Sequence, residues 1–182
     1  MNLSNVTILN ENIKEELLKQ AYDIHAEKLG EGYLDFHFFK ELARRSQIFI
    51  AVQGHEVLGY ITINSTTEKD FFIDKKVDLL GKDEEVLIIN TCAVKYEREG
   101  VGSLLVGYVL KKHAKDYEKI YVPAWKHAGI TNAGKLLEKF NFKPLIEIEK
   151  YWYEDSLNIK NFCPICDNPC LCSLVIYLRK KV

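Results

Sequence analysis

The residues best placed to do chemistry lie between Val86 and Leu105. An apolar run, VLIINTCAV, passes through KYEREGVG into SLL. Gly100 and Gly102 stand where strand-like residues give way to Val101, Leu104, Leu105 and Tyr108, which recur at helical spacing. A turn of this kind aims several backbone N–H groups at one point, on the positive end of a helix dipole. That is an anion site, above all for phosphates. Glycines there let the backbone approach a ligand with no Cβ in the way. Taken bare, the pattern is common, and most such turns only reverse the chain.

A second constellation lies near the end of the chain. Four cysteines fall within ten residues, in the order Cys163-Pro-Ile-Cys166-Asp-Asn-Pro-Cys170-Leu-Cys172. The Cys-Pro-x-Cys opening resembles a zinc knuckle, with Pro164 and Pro169 stiffening the turns. The closing Cys-x-Cys is unusual for zinc ribbons, whose Cys pairs lie much further apart. Three readings stay open: a four-thiolate zinc site, reduced thiols that form a disulfide on oxidation, and a functional thiol site.

Composition narrows the classes. The chain has 182 residues, 47% of them hydrophobic, enough for one domain with a good core. With 25 basic and 26 acidic residues the net charge is −1, so no basic excess points to nucleic acid or to a membrane surface. No signal pattern opens the sequence and no apolar run approaches a membrane span. The expectation is a soluble, cytoplasmic, single-domain protein over 1–182, a monomer or homodimer, whose cysteines are reduced, catalytic or metal-bound rather than paired.

The elements that must position these residues follow from periodicity. Val6–Leu9 reads as a short strand. Asn12, three before Glu15, signals a helix start, and Ile13, Leu17, Ala21 and Ile24 form its stripe. Gly30 and Gly32 break the chain. A second helix starts at Asp35 and carries Phe36, Phe39, Leu42 and Ala43. Ile48–Val52 and Val57–Ile63 form a hairpin about Gly54-His55. Residues 64–85 read as a polar, extended connection with one short piece of structure. After the central unit comes a strand at Ile120–Val122, ended by Pro123. A helix defined by Ala133, Leu136, Leu137 and Phe140 follows, and Asn141 sits at its left-handed stop. Leu145–Tyr153 reads as a strand, residues 161–172 as the cysteine-rich loop, and Ser173–Leu178 as the last strand. This order predicts an α/β fold, with a mixed, mostly antiparallel central sheet flanked by helices.

VKYEREGVGSLLV resembles the acetyl-CoA loop of the GNAT acetyltransferases, whose pattern runs Arg or Gln, two residues, Gly, one residue, Gly or Ala. Gly100 and Gly102 match the small positions and Tyr96 an aromatic often found just before. Glu97 falls where the family has Arg or Gln, and Arg98 is one place late. AGKLLEKFNFKPL is similar to the family's second cofactor segment: Ala133 fits a small position and Phe142 the Phe, while Asn141 replaces a Gly. Leu137 stands where many members have the Tyr that protonates the departing thiolate. The order of elements is also the family's, across essentially the whole chain.

The resemblance implies a GNAT fold and an acetyl-CoA-dependent N-acetyltransferase acting on a small-molecule or protein amine by direct attack, without an acyl-enzyme. It implies that Arg98, Glu99, Gly100, Val101, Gly102 and Ser103 surround the pyrophosphate. Cys92, Ala93 and Val94 would line the pantetheine arm, with an N–H at Cys92 or Ala93 as oxyanion donor. The base and acid are open. Glu85, with Glu84 beside it, starts the central strand where some members place a base, although Lys82 to Glu85 is a charge run of the kind usually solvated. Tyr121 leads the acids over Tyr151 and Tyr153, and His127 is a loop histidine within reach. Bulk water can serve both roles. Cys92 reads as a structural thiol. Two alternatives stand beside the enzyme: a non-catalytic acyl-CoA-binding or sensor protein, and a metal- or redox-responsive interaction protein acting through Cys163–Cys172.

Overall fold

The structure is a computed structural model and describes residues 3–30, 34–158, 163–166 and 169–181. One eight-stranded sheet organises it. The strands are β1 (Thr7–Leu9), β2 (Ile48–Gln53), β3 (Glu56–Thr67), β4 (Glu85–Val94), β5 (Lys119–His127), β6 (Ile130–Thr131), β7 (Lys143–Ile148) and β8 (Ser173–Lys180). Their spatial order is β1-β2-β3-β4-β5-β8-β7, with β6 added to β5. Every pairing is antiparallel except β4 with β5, which is parallel.

Helices cover both faces, which is why the central strands are apolar on both sides. On one face lie α1 (Glu15–Leu29), α2 (Phe36–Arg44) and α3 (Glu68–Asp74). Leu17, Leu18, Ala21 and Ile24 of α1 and Phe39 and Leu42 of α2 pack on Ile48, Ile50, Val52 and Tyr60. Phe71 and Phe72 of α3 pack on Val86, Ile88 and Tyr121. On the other face α4 (Val101–His113) and α5 (Gly134–Lys139) bury Val101, Leu105, Val109 and Leu137 against Phe49, Ile61, Leu87 and Ile89. A short α6 (Tyr153–Asn158) stands between β7 and the segment that leads to β8.

Several boundaries differ from the sequence reading, each for a local reason. Asn12 is not the cap of α1: it takes a left-handed φ of 53°, and the helix starts at Glu15 after an uncapped Lys14. Asp35 does cap α2, accepting from the Phe38 amide at 2.8 Å. The 64–85 connection is more ordered than its polarity implied. β3 runs on to Thr67, whose hydroxyl oxygen caps α3 by accepting from the Asp70 amide at 3.1 Å. Pro123 does not end β5, which continues to His127. β7 stops at Ile148, so Tyr151 lies in a turn and Tyr153 opens α6. Asn141 has the left-handed φ expected at the helix stop, 63°. Gly32, read as a chain break, and residues 161, 162, 167 and 168 of the cysteine-rich segment lie outside the described residues.

Candidate active site

The glycine turn is built as its residues require. Arg98 and Gly100 both take left-handed backbone, at φ 62° and 86°, and Gly100 occupies the N-cap position of α4. A Cβ at Gly100 would stand 2.9 Å from a Leu3 methyl carbon, and that backbone also disfavours L side chains. The first ladder bond of α4 runs from the Leu104 amide to the Gly100 carbonyl at 3.0 Å. The amides of Val101, Gly102 and Ser103 therefore precede the ladder and face out of the helix end, where the dipole is positive. The side chains of Arg98 and Glu99 are exposed at the tip. The entry to the turn is fixed from β3, where Glu56 accepts from Lys95 at 2.6 Å and from the Tyr96 hydroxyl at 3.0 Å.

β4 leads into this turn and leaves its neighbour on the way. It pairs with β5 only at Leu87↔Ile120 and Ile88↔Tyr121. On its other side the register with β3 jumps from Ile63↔Ile89 to Thr62↔Thr91, so Asn90 is an extra residue, a β-bulge that bends the strand. β5 meanwhile stays paired with β8 through Pro123, which faces Ile176. A proline lacks the donor a central strand needs, and here β4 has already withdrawn from that side. The result is a V-shaped opening between β4 and β5.

Strand alternation decides which amides line the opening. The Lys95 amide donates to Leu58 O at 2.8 Å, so it points to β3. Alternate residues point the other way, which directs the amides of Val94 and Cys92 into the opening and that of Ala93 toward β3. The Ala93 side chain is buried on the α1 face. The Cys92 side chain packs against the α4 side, and burial pushes its thiol up to about 12, which removes it as a nucleophile.

The proposed acid and base do not reach this opening. Glu85 is exposed at the start of β4, opposite Thr67. It precedes Cys92 by seven residues, about 23 Å of extended strand, far beyond hydrogen-bond reach. Tyr121 is 1% exposed between Phe71 and Phe72, and its hydroxyl donates to Glu68. Burial, then the Glu68 carboxylate, push that phenol far above its usual range. Glu68 is itself buried and accepts from Lys119 Nζ at 2.6 Å and the Lys82 amide at 3.0 Å. Leu137 is also core, at 2% exposure.

No protein-family model matches the chain, and no curated protein matches it. Solved structures do. NAA60 of Arabidopsis thaliana in complex with acetyl-CoA superposes with a TM-score of 0.70 at 16% identity, over 96% of this chain and 98% of that one. An N-acetyltransferase from Staphylococcus aureus Mu50 gives 0.66 at 17% identity, over 97% and 99%. A polyamine N-acetyltransferase of Drosophila melanogaster gives 0.64 at 10% identity, over 97% and 100%. The chain has the GNAT fold. At these identities the likeness is one of fold.

Within the GNAT fold of this chain, two further features stand out. Asn90, the bulged residue, donates from Nδ2 to Asn64 Oδ1 at 2.5 Å. Both line a polar cavity of about 320 Å³ with Thr66, Asp70, Asp74 and Lys75. Sequence reasoning passed over Asn90. The available signal was a lone amide inside an apolar run. The second feature is the cysteine cluster. The Sγ atoms of Cys163, Cys166, Cys170 and Cys172 all lie within 4.8 Å of one another, and none is disulfide-bonded. The cluster packs against Trp125 and Trp152, and His127 Nδ1 lies 3.6 Å from Cys172 Sγ. His127 thus belongs to the cysteine cluster and not to the opening between β4 and β5.

Proposed function

We propose that the protein is an acetyl-CoA-dependent N-acetyltransferase that transfers the acetyl group to a primary amine by direct attack. The observation that carries this reading is the opening between β4 and β5, lined by the amides of Cys92 and Val94 and ending at the N-terminus of α4. A pantetheine arm is a slender polyamide and can pair with that strand edge as a missing strand would. The amides of Val101, Gly102 and Ser103 then receive the pyrophosphate. The Cys92 amide, in place of the Ala93 amide, serves as the oxyanion donor, since strand alternation points it into the opening. The amine nitrogen attacks the thioester carbonyl. The tetrahedral oxyanion collapses with cleavage of the C–S bond, and the CoA thiolate takes its proton from water. Glu85 and Tyr121 take no part. The cavity beside Asn90, where Asp70 joins a Lys75–Asp74 ion pair on the wall, keeps one negative charge in excess and suits a cationic acceptor. The solved structures that share the fold include N-acetyltransferases in complex with acetyl-CoA or with bisubstrate analogues, which supports the donor assignment.

One observation favours a second reading, a non-catalytic acyl-CoA binder: Leu137 is buried, and neither Glu85 nor Tyr121 reaches the opening. Calorimetry followed by turnover separates the two. Wild-type protein is expected to bind acetyl-CoA in the micromolar range. Gly100→Glu and Ser103→Glu are expected to lose binding, because a carboxylate is placed against the pyrophosphate. Ser103→Glu is the safer variant, since an acid in a first helical turn favours the helix. Thiol release on mixing with diamines or peptides then marks an enzyme. Absence of binding to the wild type would sink both readings.

A further inference from the structure

Ten residues before β8 hold most of the chain's sulfur, and those of them that the structure describes fold in an inverted way. The large apolar side chains of this segment, Ile165 and Leu171, are exposed at 42% and 56%, while Cys163, Cys170 and Cys172 are buried. A segment this short has no apolar core of its own, so something else must hold its inside together.

The sulfur geometry says what. Cys166 Sγ lies 3.3 Å from Cys163, 3.7 Å from Cys170 and 3.6 Å from Cys172, and Cys163 lies 4.0 Å from Cys172. A disulfide needs about 2.05 Å between two partners and would sort four sulfurs into pairs. These sulfurs instead surround a common centre. A tetrahedral ion bound at about 2.3 Å to each thiolate requires sulfurs about 3.8 Å apart, in the middle of the observed spread. Donors stand ready for the charge of four thiolates. The Leu171 amide donates to Cys166 Sγ at 3.4 Å, and the buried Trp125 indole Nε1–H is directed at Cys172.

We propose that Cys163, Cys166, Cys170 and Cys172 bind one zinc ion as a closed tetrathiolate site, and that the ion docks this segment on Trp125 and Trp152. On binding, each thiol gives its proton to solvent and each sulfur forms one bond to the ion, with no change of oxidation state. Four protein ligands leave no open position, so the site is structural. Its product is a wall. Ile165, held between Cys163 and Cys166, lines a cavity of about 180 Å³ together with Trp125, His127, Ala128, Ile130 and Asn132. The segment is further pinned by the Cys170 amide donating to Ser156 Oγ at 2.8 Å and the Tyr151 amide to Cys172 O at 3.1 Å. The site stands whether or not the chain transfers acetyl groups.

The test uses full-length protein purified without chelator under reducing conditions. Elemental analysis is expected to find one zinc per chain, with the four thiols closed to a thiol reagent until zinc is displaced. Cobalt(II) exchange is expected to give the intense bands of a tetrahedral thiolate site. The chain has two tryptophans, and both pack on the cluster, so zinc removal should change their emission and zinc addition restore it. Cys166→Ser is expected to lose stoichiometric zinc. If that variant fails to fold, removal and return of zinc in the wild type still decides. Folded protein without metal, with all four thiols titrating freely, would overturn the proposal. So would iron in the site, two disulfides, or emission that ignores zinc.

Discussion

Tyr121 shows how a residue with the right chemistry can be spent on structure. Its hydroxyl meets Glu68, which also takes Lys119 and the Lys82 amide, so one buried carboxylate ties α3, β5 and the strand-entry loop together. Tyr121→Phe removes one hydrogen bond to a charged group and is expected to cost about 2 kcal/mol of stability. Turnover of the folded variant should be unchanged. A collapse of kcat with the melting temperature intact would instead make Tyr121 the acid. Glu68→Ala strips a buried ion pair of its anion and should cost about 3 kcal/mol. Sequence could not rank these roles. A tyrosine two residues into an apolar run reads the same whether its hydroxyl meets a cleft or a carboxylate 53 positions away.

At the scale of elements, the opening depends on one inserted residue. Without Asn90 the β3 register would run straight from Ile63↔Ile89 to Thr62↔Thr91, and Cys92 and Ala93 would keep the faces they now hold. Deleting Asn90 is therefore expected to leave the sheet folded, with β4 running on beside β5, while acetyl-CoA binding is lost. Unfolding and calorimetry on the same sample read both arms, and retained binding would show that the bulge does not make the opening. The helices α1, α2, α4 and α5, the hairpin and the glycine turn were legible because apolar spacing and turn residues mark them locally, whereas α3 and α6 carry too short a pattern. The bulge was not, because β4 is covered on both faces. Its side chains do not alternate between apolar and polar, so a slip of phase leaves no trace. Pro123 was misread for a related reason: a proline ends a strand only if its neighbour wants the missing donor, and β4 had already left.

At the scale of the molecule, two buried groups set a common acid limit. Burial lowers His25 to about 4, well below its ordinary 6.5, where it is fully enclosed with Nδ1 2.5 Å from the Tyr60 hydroxyl. The unfolded chain takes up that proton as pH drops below about 6.5 and the fold does not, so stability falls from there toward pH 4. Burial opposes ionisation of Glu68, but hydrogen bonds from Lys119, Tyr121 and the Lys82 amide outweigh it and hold the carboxyl below the usual range. Its contribution is present above the unfolded carboxylate value and is lost as pH falls through the lowered one. Denaturant midpoints should therefore decline between pH 7 and pH 5 with the signature of a histidine, and decline again below pH 4.5. His113 is also lowered by burial, so His25→Gln should lessen the first fall and leave the second. A flat profile in the wild type from pH 7 to pH 5 would refute the assignment.

No helix among the described residues is long and apolar enough to cross a membrane. The opening between β4 and β5 has a different consequence for how the chain keeps company. It is a raw strand edge in the interior of a sheet, and such edges recruit stray strands. This one is screened by shape. The two strands diverge from a shared paired point, and Pro123 presents no donor on the far wall. A stray strand thus meets one pairing wall there instead of two, which works against the pairing that leads to aggregation.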